Sequence, residues 1–84
     1  MNEYRLDAKY DRRASFYGKA VVREQDNGDS ELISYATKVA EIKGGKLKVY
    51  GWYSQTTARH INEYAVQNGF KSMGKKEMVE YKND

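Results

Sequence analysis

His60 is the one histidine of the chain, and there is no cysteine. Imidazole titrates near neutrality, so general-base catalysis is the first chemistry a single histidine offers. A base of that kind needs a nucleophile to activate or a metal to assist it. Ser54 and an aspartate supply the residue types of a triad, but no spacing orders them. Without cysteine, a thiolate metal site and a disulfide framework are both excluded. The sequence thus assigns no catalytic residue, no cofactor and no metal site. His60 reads as a surface or helix-flank histidine that hydrogen-bonds a neighbour, on an exposed helix face with Arg59, Glu63 and Gln67.

Binding chemistry is better represented. In residues 46–53, Lys46, Lys48, Tyr50 and Trp52 fall on one side of a strand, and Leu47, Val49, Gly51 and Tyr53 on the other,. An earlier stretch, 15–24, sets Tyr17, Lys19, Val21 and Arg23 opposite Phe16, Gly18, Ala20 and Val22. Together with Arg12, Arg13 and Arg59, these residues form a candidate aromatic-basic face. Cations neutralise phosphates and rings stack on bases, so nucleic acid is the leading expected partner. The same face suits a host protein, the N-terminal strand, the C-terminal tail or a second copy in a homodimer. The carboxylates Glu24, Asp26, Asp29, Glu31 and Glu63 favour a protein, because they would repel a polyanion,.

Val49-Tyr50-Gly51 followed by Arg59 is similar to half of the GIY-YIG nuclease pattern. The first motif strand is missing, the spacing to the arginine is off by one, and no glutamate is placed for a metal. A non-enzymatic reading follows.

Eighty-four residues with 39% hydrophobic and 32% charged side chains make a single small domain with a thin core, 1–84,. Eight tyrosines supply bulk that tolerates half-burial,. The net charge of +3 permits an anionic partner without requiring one,. No apolar run approaches the ~20 residues of a membrane span, and the start is not a signal peptide, so a cytoplasmic protein is expected.

The elements that hold the candidate face follow from periodicity. Tyr4, Leu6, Ala8 and Tyr10 alternate with Arg5, Asp7 and Lys9 as a first strand,. The stretch 15–24 is a second, and Asp26-Asn27-Gly28-Asp29 closes a hairpin. Residues 31–42 read as one third strand with a bulge, because its two faces conflict. Gly44-Gly45 turns into the fourth. Ser54, Thr56 or Thr57 caps a helix that buries Ala58, Ile61, Tyr64, Ala65 and Asn68, and Asn68-Gly69 stops it so that Phe70 folds back. Residues 71–84 form a polar tail, partly flexible, with a short element around Met78 and Tyr81. The expected class is α+β: an antiparallel sheet of three to four strands with one main amphipathic helix on one face, in the order β-β-β-β-α.

Two blocks resemble a known group. Tyr10-Asp11-Arg12-Arg13-Ala14-Ser15-Phe16-Tyr17-Gly18-Lys19-Ala20 and Ser54-Gln55-Thr56-Thr57-Ala58-Arg59-His60-Ile61-Asn62-Glu63-Tyr64 are similar to a family of small, uncharacterised proteins encoded mainly by bacteriophages and mobile elements. Ser34-Tyr35-Ala36-Thr37-Lys38-Val39-Ala40 and Gln67-Asn68-Gly69-Phe70 extend the likeness to about residues 10–70. The resemblance implies an accessory phage protein in the host cytoplasm that binds nucleic acid or blocks a host or defence protein.

Overall fold

A computed structural model describes residues 2–6 and 19–82. Their order is β1 (Asn2–Arg5), β2 (Ala20–Glu24), β3 (Ser30–Ser34), β4 (Thr37–Lys43), β5 (Lys46–Val49), α1 (Gln55–Gln67) and α2 (Lys75–Lys82). Each strand pairs antiparallel with the next, so the sheet follows chain order. Three of the four connections are tight turns, which hold consecutive strands side by side,.

The class is α+β, with five strands instead of three to four and with two helices instead of one. The extra strand comes from residues 31–42, which are a hairpin. Tyr35 and Ala36 both take positive φ, 49° and 68°, and Ser34 pairs with Thr37 across them. Two positive φ angles in a two-residue loop are those of a type I′ turn, whose twist matches the strands. Neither residue is glycine or asparagine, so no turn signal stands there. The expected bulge is present as well: Leu32 opposes Ala40 while Ile33 opposes Lys38, leaving Val39 as the extra residue.

One face of the sheet is the core. Ala20, Val22, Leu32, Ala40, Leu47 and Val49 meet Ala58, Ile61, Tyr64 and Ala65 of α1. Ser54 caps α1 by accepting from the Thr57 amide at 3.1 Å. At the other end the Phe70 amide donates to the Ala65 carbonyl and the Gly69 amide to that of Val66, a Schellman closure that Gly69 permits with φ 86°,. Phe70 returns to the core as expected. The Tyr64 hydroxyl, fully buried, lies 2.5 Å from the Ser30 hydroxyl, and burial pushes its pKa up to about 12.

The segment expected as a polar tail carries α2. Its Met78 is fully buried, and Asn62 of α1 holds the approach to the helix, donating to the Met73 carbonyl at 2.9 Å and accepting from the Met73 amide at 2.6 Å. The Tyr50 amide donates to Val39, so residues 46, 48 and 50 turn their backbone groups toward β4,. Leu47 therefore turns its carbonyl outward, and the Tyr81 hydroxyl donates to it. In this way α2 covers the β5 edge of the sheet.

Candidate binding surface

The face turned away from the helices carries the charged residues. Strand register puts Glu3, Arg5, Val21, Arg23, Glu31, Ile33, Lys38, Glu41, Lys43, Lys46 and Lys48 on it,. At one end lies an open groove of about 440 Å³ lined by Glu3, Lys19, Val21, Arg23, Ile33, Tyr35 and Ala36. Its floor is the half-buried pair Val21 and Ile33, which face each other across β2 and β3. Lys19 is exposed beside it, and the Arg23 guanidinium donates to the Glu3 carboxylate at 3.0 Å.

The other end is a charge network centred on Glu41, which is buried. The Tyr50 hydroxyl donates to Glu41, and the Lys38 ammonium bridges Glu41 at 2.9 Å and Glu31 at 2.6 Å. The hydrogen bonds from Tyr50 and then Lys38 hold the Glu41 carboxyl below the ordinary carboxylate range. The carboxylate of Glu31, and then that of Glu41, hold the Lys38 ammonium above the ordinary range. Both lysine ammoniums, Lys38 and Lys48, lie 5.5 Å from the centre of the Tyr50 ring,.

The expected face is thus only partly assembled. Lys19, Arg23, Lys48 and Tyr50 share the outer surface. Arg12, Arg13 and Tyr17 lie outside the described residues. Trp52 is not on it: β5 ends at Val49, Gly51 takes φ 136°, and the indole packs half-buried against the core with the Lys75 ammonium 5.4 Å above its ring. Arg59 belongs to α1, behind the opposite side of the sheet. Tyr50 is on the face but its hydroxyl and ring are already engaged.

The expected exposed helix face is overturned. His60 is 1% exposed and Glu63 3%. The His60 Nδ1 lies 2.9 Å from the Ser34 hydroxyl, which also meets the Thr57 hydroxyl at 3.1 Å, and the ring stacks on Tyr35. Glu63 accepts from Gln67 at 2.6 Å. Polar partners on β3 draw this side of α1 inward, which an apolar periodicity does not reveal. Ser34 and His60 are at general-base distance, and both side chains are buried, Ser34 at 2% exposed,. Among the described residues, no group of three or more His, Cys, Asp or Glu is placed to hold a metal ion, and no helix is long and apolar enough to cross a membrane.

Residues 4–80 match the model of a family of unknown function, DUF8033. The chain belongs to that family. No curated protein and no solved structure matches it. Within this DUF8033 chain, the groove residues Glu3, Ile33, Tyr35 and Ala36 and the network residues Glu31, Lys38 and Glu41 were not among the candidates from sequence. Val21 was legible there, as an apolar side chain on the otherwise basic side of β2.

Proposed function

We propose that the chain is a non-enzymatic binding module whose partner is a protein, engaged by the outer face of the sheet. The groove supports this reading: an apolar floor of Val21 and Ile33 with Tyr35 beside it and charges of both signs on its rim. Such a surface accepts an apolar side chain flanked by mixed charge, as protein partners offer. A polyanion is served less well, because Glu3, Glu31 and Glu41 already pair with Arg23 and Lys38, and Tyr50 is held in place. The likeness to phage and mobile-element proteins supports a host or defence protein as the partner. The burial of His60 supports a role without turnover.

The test pairs two measurements. A tagged chain retains one host protein in stoichiometric amount, Ile33→Arg loses it at least ~10-fold, and Glu80→Lys on α2 retains it. In parallel, anisotropy with labelled single- and double-stranded DNA at low and near-physiological salt detects no binding tighter than ~100 μM. Micromolar DNA binding that weakens steeply with salt and is lost in Lys19→Glu/Lys48→Glu would overturn the protein reading in favour of nucleic acid.

A further inference from the structure

Among the described residues, β1 pairs with β2 alone, and all four of its residues, Asn2, Glu3, Tyr4 and Arg5, are exposed. The Leu6 amide donates to the Ala20 carbonyl at 2.9 Å, so Leu6 faces Ala20 as a hydrogen-bonded pair. Pairing alternates along an antiparallel ladder, so Tyr4 and Asn2 also turn their backbone groups toward β2,. Glu3 and Arg5 therefore present their amides and carbonyls to the open edge. We infer that β1 pairs antiparallel with β1 of a second copy of this chain, about a twofold axis through Tyr4.

The register is set by chemistry. A hydrogen-bonded antiparallel pair needs outward-facing groups on both strands, so Glu3 and Arg5 of one copy must meet Glu3 or Arg5 of the other. Centring the axis on Glu3 sets two carboxylates face to face, and centring it on Arg5 does the same with two guanidiniums. Centring it on Tyr4 sets Glu3 against Arg5 twice and gives about four backbone hydrogen bonds. Like charges directly opposite destabilise and unlike charges stabilise, so this register is selected. Glu3 already accepts from Arg23 of its own chain. The partner's guanidinium extends that pair into an Arg–Glu–Arg row along the outer face. On the inner face the two Tyr4 rings, each 40% exposed in the single chain, become neighbours.

The contact is small, well below the ~1,200 Å² of a stable complex, so the expected dissociation constant lies between about 10 μM and 1 mM. Sedimentation velocity over that range should show wild type moving from monomer to dimer. Glu3→Arg and Arg5→Glu each weaken association at least ~10-fold, and an equimolar mixture of the two variants restores it, because unlike charges again face each other. Tyr4→Cys gives an independent readout. Residues at a non-hydrogen-bonded position sit about 4.5 Å apart at Cα, within disulfide reach, and no native cysteine competes,. Mild oxidation should link Tyr4→Cys chains rapidly. Glu3→Cys and Arg5→Cys meet their own copies only diagonally, about 7–8 Å apart, and should link no faster than Glu80→Cys. A wild type that stays monomeric over the whole range would overturn the inference and leave this edge to another protein's strand. Charge reversals without effect, or Tyr4→Cys linking no faster than Glu80→Cys, would overturn it as well.

Discussion

Glu41 anchors the outer face, and replacing it with glutamine isolates what its charge contributes. The carboxylate accepts from the Tyr50 hydroxyl and from the Lys38 ammonium, with Lys43 at 3.9 Å. A hydrogen bond to a charged group contributes roughly 1.5–3 kcal/mol, and about half that when both groups are neutral. Glutamine keeps an acceptor for Tyr50, so that bond weakens without vanishing. Lys38 keeps Glu31, and its side chain is 37% exposed, so water screens much of what it loses,. The expected cost at pH 7 is therefore about 1–2 kcal/mol. Acid supplies the control. The folded carboxyl titrates below its ordinary value of 4.5, so as the pH falls the unfolded chain takes up this proton first,. The stability due to the charge is complete above that ordinary value and is lost as the pH drops through the lower folded one. Glu41→Gln has no carboxyl to titrate there, so the gap between the two proteins should close as the medium is acidified. Urea unfolding followed by circular dichroism at pH 7 and in steps toward ~pH 3 measures it. A gap that stays constant over that range would refute the assignment, as would no gap at pH 7.

Two further substitutions test the hairpin and the second helix. Ala36→Gly should stabilise the protein by about 0.5–1 kcal/mol, a rise of a few degrees in melting temperature, because it relieves a positive φ at an exposed turn position,; a fall would mean that the turn is not type I′. Met78→Ala should cost about 2–4 kcal/mol in urea unfolding, while exposed Lys76→Ala stays within ~0.5 kcal/mol,; equal, small effects would show that α2 is not docked on β5.

Where one physical rule acts alone, the sequence was readable. Alternation placed Ala20 and Val22 inside and Lys19 and Arg23 outside; of the three candidate caps Ser54, Thr56 and Thr57 the structure uses Ser54, and the Asn68-Gly69-Phe70 stop ends α1 where the structure has it. Elsewhere tertiary contacts override the local signal. Tyr35 and Ala36 turn without a turn residue, held by strands that already face each other. Gly51 rotates the chain before Trp52, so an alternation that looked continuous sends the indole to the core. His60 is polar and therefore reads as exposed, yet Ser34, far along the chain, meets its Nδ1 in the interior,. The candidate surface was legible as a basic sheet face. Its carboxylate partners were not, because ion pairing across strands depends on a register that the hidden hairpin shifts.

The two borders of the sheet are chemically unequal, and this bears on how large an assembly of such chains can grow. A sheet open on both sides can add neighbours without end, which is the route to fibres. Here α2 lies along β5, with Tyr81 occupying an outward carbonyl, while β1 is exposed and, among the described residues, pairs with β2 alone. Among the described strands, addition therefore has one type of joining end, and on the inferred β1 pairing two such ends would use each other up in a closed symmetric pair,. If copies join through β1, residues 75–82 would then serve as a chain terminator for polymerisation. Shortening the protein before Lys75 would expose a second joining end and convert a self-limiting species into an open-ended one.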